Sequence, residues 1–241
     1  MGRAFEFRKA RKLKRWGNMA RTFTRIGKEI DIAVKAGGPN PDNNNRLRIL
    51  IQNAKAANMP KENIERAIKR AVSKDTTDYK MVVYEGYAPF GVAVVVETAT
   101  DNTTRTVADV RHAFTKYGGS LGTSGCLDFM FNHQCVFKVT KPEEFDADEF
   151  ELEMIDYGTE EIFEDEDGAI NIYAPFESYG AIQKHLEEMS LEIISGEFTR
   201  TPTDYKELTP EQRTEVDKVL DKLDECDDVT NVFHNIKEDE E

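Results

Sequence analysis

Residues 135–198 read CVFKVTKPEEFDADEFELEMIDYGTEEIFEDEDGAINIYAPFESYGAIQKHLEEMSLEIISGEF, and the alternation of patterns within this stretch sets the fold class. Cys135 to Val139 is a β-rich run, Glu143 to Tyr157 carries helical spacing, and Glu161 to Glu164 is a short strand. A turn at Asp167-Gly168 leads into a strand at Ala169 to Tyr173, then a helix at Phe176 to Met189 and a strand at Leu191 to Phe198. The order βαββαβ predicts a ferredoxin-like unit, closed by Pro202 and assigned to residues 135–202.

Working outward, the segments on either side of this unit belong together. Upstream, Met81 to Tyr84 and Val92 to Thr98 are β-rich around Gly86 and Pro89-Phe90-Gly91, which predicts a hairpin. Asn102 caps a helix with Val107, Val110, Ala113 and Phe114 on its apolar side, Gly118-Gly119 closes it, and Leu127 to Phe131 reads as a third strand. Downstream, a helix at Thr209 to Leu223 and a strand at Val229 to Ile236 have no core of their own, so they are expected to return to the upstream sheet. Residues 76–134 plus 203–241 then form a central α+β domain into which the ferredoxin-like unit is inserted.

Residues 1–75 have a helical period instead. Phe23, Ile26, Ile30 and Val34 recur at steps of three and four, and Gly37-Gly38-Pro39 supplies a left-handed cap and a stop. Asn43-Asn44-Asn45 offers caps for a second helix with Leu47, Leu50, Ile51 and Ala54 inward. Pro60 suits the first turn of a third, carrying Ile64, Ala67, Ile68 and Val72. The prediction is an α+β multidomain protein: an N-terminal three-helix bundle preceded by a basic arm, the central α+β domain, and the inserted ferredoxin-like βαββαβ domain.

Charge divides at the same place as the period. Residues 1–75 hold 19 Lys and Arg against 7 Asp and Glu, while residues 76–241 hold 13 against 39, within a chain of net charge −14. A basic block on an acidic chain calls for a polyanionic partner, and nucleic acid is the usual one. The arm, with Arg8, Lys9, Arg11, Lys12, Lys14, Arg15 and Trp16, mixes cations with aromatic rings, a combination suited to phosphates and stacked bases. Arg21, Arg25, Lys28, Arg46 and Arg48 extend the candidate nucleic-acid-binding set along the bundle, and Arg105 and Arg111 add charge in the central domain. A helix-turn-helix over residues 47–57 and 62–72 is a sharper alternative. Its second helix exposes Lys61, Glu65, Arg66, Lys69 and Arg70, which read as grips on phosphate and not as readers of base edges.

Other chemistries find little support. Cys126, Cys135 and Cys226 form no C-x-x-C pair, and the four histidines lack metal-ligand spacing, so neither a disulfide framework nor a metal or cofactor site is expected. No acid pair or nucleophile set points to catalysis. No run of about 20 apolar residues could span a bilayer, and the basic N-terminus lacks the apolar core of a secretory signal. A cytoplasmic protein without membrane association is expected, as a monomer or weak oligomer. The loop Gly118-Gly119-Ser120-Leu121-Gly122-Thr123-Ser124-Gly125 could cradle an anion. It follows a helix, however, whereas a phosphate loop follows a strand, so a helix cap and tight turn is the favoured reading.

Tyr84-Glu85-Gly86-Tyr87, Pro89 and Gly91, Thr100-Asp101-Asn102 with Arg105-Thr106, and Val110 to Phe114 with Lys116 through Gly119, Leu121-Gly122 and Gly125 resemble the YebC-like family. Phe23-Thr24-Arg25, Glu29-Ile30 and residues 36–48 (AGGPNPDNNNRLR) extend the resemblance over nearly the whole chain. The family usually opens with an H-S-K-W-type motif, whereas this chain begins Met1-Gly2-Arg3-Ala4-Phe5; Trp16 stands as its displaced equivalent. The resemblance implies three domains and a non-catalytic transcriptional regulator that binds DNA. Because the family also includes mitochondrial translational activators and factors linked to stalled ribosomes, it equally carries the alternative of a translation factor on ribosomal RNA. A protein partner for the acidic domains is a third expectation, with Phe145, Phe150 and Phe163 as candidate anchors, although helical or strand spacing makes core the favoured role for those aromatics.

Overall fold

The structure is a computed structural model that describes residues 19–73, 77–142 and 146–237. The basic arm from Arg8 to Trp16, Phe145 and the acidic tail at 238–241 lie outside the described residues.

Among the described residues, three helices build the N-terminal bundle: α1 (Met19–Gly37), α2 (Asn45–Ala56) and α3 (Lys61–Val72). Ile30, Ala33 and Val34 of α1 pack against Leu47, Leu50 and Ala54 of α2 and Ile64, Ala67 and Ala71 of α3. Each large aliphatic buried this way contributes about 1.5–3 kcal/mol. Helix α1 ends because Gly38 takes φ +87°, a conformation disfavoured for side chains with a Cβ, and its amide closes on the Val34 carbonyl at 2.7 Å. Asn44 then joins two helices. Its Oδ1 accepts from the Leu47 amide at 3.0 Å, capping α2, while its Nδ2 donates to the carbonyls of Ala33 and Gly38.

The first sheet contains β1 (Lys80–Ala88), β2 (Val92–Thr100), β3 (Ser120–Leu121) and β8 (Val229–His234) in the order β3-β1-β2-β8, all antiparallel. Strand β2 is buried from end to end, which matches its VAVVV run. One of its faces packs Val92, Val94 and Val96 under α4 (Thr103–Lys116) and α7 (Pro210–Asp224); the other packs Ala93 and Val95 against Leu127 and Phe131. The last strand, β8, pairs with β2, from Val94 opposite His234 to Thr98 opposite Val229.

The second sheet has the order β5-β6-β4-β7, again antiparallel, from β4 (Phe131–Thr140), β5 (Glu161–Glu164), β6 (Ala169–Pro175) and β7 (Ile193–Pro202). With α5 (Ala147–Ile155) after β4 and α6 (Tyr179–Glu188) after β6, this is the ferredoxin-like βαββαβ arrangement. Phe150 and Met154 of α5 and Ile182 and Leu186 of α6 seal Cys135, Phe137, Val139, Ile170 and Ile172 beneath them.

Several expectations change. Leu127 to Phe131 is not a strand: Asp128–Met130 forms a 3-10 turn, and Phe131 instead opens β4, four residues earlier than the predicted start. The turn lets Leu127 and Phe131 both reach the inner face of the first sheet while Phe129 points to water. Strand β7 runs on to Pro202, because its pairing with β4 continues to Phe131 opposite Pro202. The described part of the helix expected from Glu143 starts at Ala147, where the Asp146 carboxylate caps the amides of Asp148 and Glu149. Phe150 is core, as its helical spacing predicts, and Phe163 is half-buried, stacked on Tyr173 at 5.8 Å.

The bundle touches both sheets. On the ferredoxin-like side, Asn53 donates to the Gly196 carbonyl at 2.7 Å and accepts from its amide at 3.1 Å, Ile49 enters the core beneath β7, and Arg48 pairs with Glu187 at 3.1 Å. A Cβ at position 196 would stand 2.9 Å from Ile49 Cγ2 and 3.0 Å from the Phe137 ring. Gly196→Ala should therefore wedge α2 from β7 and cost about 1–3 kcal/mol in urea unfolding, with Ile49→Ala restoring part of the loss. A G196A midpoint equal to wild type would show that α2 is not clamped there.

Candidate nucleic-acid interface

Arg25 and Lys28 lie three residues apart on α1 and so share a helical face. That face meets the first sheet. Lys28 Nζ donates to the Ala99 carbonyl at 3.1 Å, the Asp227 carbonyl at 2.9 Å and Asp228 Oδ1 at 2.7 Å, which uses the three donors of its ammonium. Arg25 Nη2 donates to the Asp224 carbonyl at 2.7 Å, at the C-terminal end of α7, where the helix dipole favours a cation. Both side chains are buried. This corrects the expectation that Arg25 and Lys28 contact nucleic acid: their donors face inward and hold the bundle to the central unit.

Asp228 is the other half of this arrangement. Besides Lys28, it accepts from Arg105 Nη2 at 2.7 Å, Thr106 Oγ1 at 2.8 Å and Thr100 Oγ1 at 3.2 Å. Burial by itself would raise its carboxyl, but hydrogen bonds from Lys28, Arg105 and Thr106 outweigh that and hold it at about 2. Arg105 also pairs with Asp101 at 2.8 Å, so although half-exposed it is tied within this network. The Thr100-Asp101-Asn102 and Arg105-Thr106 motifs are thus largely structural: Asn102 caps α4 by accepting from the Arg105 amide, and the other side chains meet around Asp228.

The glycine-rich loop has a similar explanation. Gly118 takes φ +84° just past the end of α4, and the Glu85 carboxylate accepts from the amides of Gly125 at 2.8 Å and Leu127 at 2.6 Å. The Gly122 amide donates to the Glu85 carbonyl at 2.7 Å. These inward-turned amides already hold an anion, the chain's own carboxylate. Sequence reasoning found no role for Glu85 or Asp228; the signal for Glu85 was an acid within an otherwise apolar strand.

The remaining candidates lie nearer the surface. Arg46 is exposed, 5.6 Å above the Phe198 ring; Arg48 is half-exposed beside Glu187; Arg21 is half-exposed; and Arg111 is exposed on α4. Helix α3 presents Lys61, Arg66, Lys69 and Arg70 to solvent, with Lys61 3.7 Å from Glu65. Arg66, Lys69 and Arg70 recur at steps of three and four, so they form one ridge. Among the described residues no helix is long and apolar enough to cross a membrane, and no three His, Cys, Asp or Glu side chains group as metal ligands.

Fold and charge together define a class: a multidomain α+β protein in which an acidic body braces a cationic helical bundle. The chain belongs to the TACO1/YebC family. The model of the "TACO1/YebC protein N-terminal domain" matches residues 3–74, and that of the "TACO1/YebC second and third domain" matches residues 79–236. A protein of Parabacteroides distasonis named "Probable transcriptional regulatory protein" is 65% identical over 240 residues, covering 100% of this chain and 98% of its own. One of the same name from Porphyromonas gingivalis is 60% identical, covering 100% and 99%. The crystal structure of a conserved hypothetical protein from Aquifex aeolicus superposes with a TM-score of 0.76 at 38% identity, over 93% of this chain and 92% of that one.

Asp228 yields a pH test. Its folded carboxyl lies at about 2 against an ordinary 3.8, so its contribution to stability is complete above about pH 5 and is lost as pH falls from about 4 to about 2. Asp228→Asn should lower the unfolding free energy at pH 7 by about 3 kcal/mol and flatten the pH dependence in that window, as read by urea unfolding at pH 7 and pH 3. Wild-type stability in the variant at pH 7 would remove Asp228 from this role.

Proposed function

We propose that the chain is a non-catalytic regulator of gene expression in the cytoplasm that holds nucleic acid by its phosphates through the N-terminal segment and the outward side of the bundle. The observation that carries this reading is the separation of cations by depth. Arg25 and Lys28 are consumed inside, whereas Arg46, Lys61, Arg66, Lys69 and Arg70 remain exposed on the same small bundle, and the 19 Lys and Arg against 7 Asp and Glu of residues 1–75 leave a surplus beyond what solubility requires. The name borne by the relatives supports transcription as the process, and a transcriptional role makes duplex DNA the expected target. The non-catalytic assignment is supported by the regulatory name borne by the relatives.

A second reading, ribosomal RNA and translation, is favoured by a different observation. The exposed face of α3 consists of Lys61, Glu62, Glu65, Arg66, Lys69, Arg70 and Val72. The one amide of the helix, Asn63, is half-buried and outside this face, so no exposed side chain is placed for bidentate readout of adenine, and the cations suit backbone and shape recognition. Crosslinking in cells, followed by sequencing of both the DNA and the RNA attached to the protein, separates the two. Discrete promoter peaks without ribosomal RNA would support transcription, and ribosomal RNA alone would support translation.

The grip itself is tested by salt dependence. If roughly six to ten cations meet phosphates, affinity should fall by about 10³- to 10⁵-fold between 50 and 200 mM salt. Neutralising Arg66, Lys69 and Arg70 to Gln should reduce the logarithmic salt slope by about one for each phosphate no longer gripped, without changing thermal stability. Reversing Lys9, Arg11, Lys12, Lys14 and Arg15 to Glu should abolish binding. Unchanged affinity in both variants would sink the proposal.

A further inference from the structure

A run of aromatic rings leads from the core of the ferredoxin-like unit to its surface beside the bundle. Phe137, fully buried, meets Tyr179 at 4.8 Å, Tyr179 meets Phe198 at 4.7 Å, and Phe198 meets Phe176 at 4.8 Å. His133 stacks on Phe176 at 4.2 Å with the two planes 17° apart. Strand pairing dictates the grouping: His133 and Cys135 of β4 lie opposite Arg200 and Phe198 of β7, and alternation puts all four on one face of the sheet. The 3-10 turn Phe176–Ser178 that leads into α6 then sets Phe176 on His133. Phe176 nevertheless stays 38% exposed.

The bundle contributes the charge. Arg46, on the first turn of α2, holds its guanidinium 5.6 Å over the Phe198 ring, is exposed, and makes no ion pair with a described residue. Burial, then Arg200, pushes the His133 imidazole below its ordinary value against the pull of Glu97, Glu177 and Asp128, so at neutral pH it stacks as an uncharged ring. Glu97 is itself paired with Arg200 at 3.1 Å. Glu177 is exposed beside Phe176 and repels a phosphate there, which leaves the Phe176 side to an uncharged planar group and the Arg46 side to an anion. Those are the two halves of a nucleotide. We propose that Phe176 is a stacking platform for an unpaired nucleobase whose backbone phosphate meets Arg46. The proposal rests on the nucleic-acid reading above and deepens it, because a base stacked on a side chain must first leave its own stack. The substrate class is therefore a single strand, loop or bulge, of RNA or of locally opened DNA.

Fluorescence anisotropy with the full-length protein tests this, using single strands of RNA and of DNA about 12 nucleotides long, within the usual footprint of a single-strand site, and duplexes of the same sequences at one fixed low salt concentration. Phe176→Leu keeps an apolar side chain but removes the ring. It should weaken single-strand binding by about 5- to 150-fold, the loss that one base stack carries, and leave duplex binding unchanged. Phe176→Trp, which restores a π face, should recover the single-strand affinity, and thermal unfolding checks that both variants are folded. The strand type on which the leucine variant loses affinity identifies the source of the base. Equal single-strand affinity in Phe176→Leu and wild type, as expected if a protein segment occupied these rings, would overturn the stacking site while leaving the phosphate grip standing. So would an equal loss on single strands and duplexes, or wild-type binding confined to duplexes. A wild-type protein that bound none of the four probes would sink the phosphate grip as well.

Discussion

Asp228 is the point on which the arrangement of the chain depends. Its carboxylate draws together Lys28 from the N-terminal bundle, Thr100 at the end of β2, and Arg105 and Thr106 at the start of α4. Removing a carboxylate and an ammonium from water costs several kcal/mol for each ion. That cost is offset only when every acceptor and donor is matched, as it is for the three donors of Lys28. The partners lie up to 200 residues apart, so the bundle is seated correctly only after the C-terminal segment has returned to the first sheet. A local ion pair could not impose that condition.

The second fixed point acts on another helix of the bundle, where Ile49 and Asn53 of α2 meet β7. Between the two sheets themselves, Arg200 of β7 pairs with Glu97 of β2 at 3.1 Å, and Asn231 of β8 donates to the same carboxylate. The bundle is thus held from two directions by groups that are themselves linked. This constrains how its outward cations are presented. A cationic ridge on a freely tethered bundle could conform to any polyanion, whereas one braced on an acidic body offers a single face, the opposite side being repelled by the charge of the body.

Much of the fold was legible because it rests on local periodicity. The steps of three and four through Phe23, Ile26, Ile30 and Val34, the Asn44 cap and the βαββαβ order all express backbone geometry that a few neighbouring residues decide. The errors fell where distant partners decide. Leu127 to Phe131 has strand-like composition, yet Glu85 seizes the Leu127 amide and the chain turns before pairing. The glycine-rich loop was readable as a turn, but the carboxylate filling it was not. Phe150, by contrast, was legible as core from its helical spacing and lies on the inward stripe of α5, a helix whose exposed side chains include Leu152 and Ile155.

The candidate interface divides along the same line. The sequence by itself determined that cations concentrate in the first 75 residues and that the helical period ends with them, because charge and spacing are local properties that folding does not alter. Only the tertiary structure decided which of those cations face solvent. Arg25 and Arg21 lie one turn apart on α1 and look equivalent in sequence, yet Arg25 is buried against α7 and Arg21 is not. The difference arises from the carbonyl of Asp224, nearly 200 residues away, which only the return of the last helix brings beside α1.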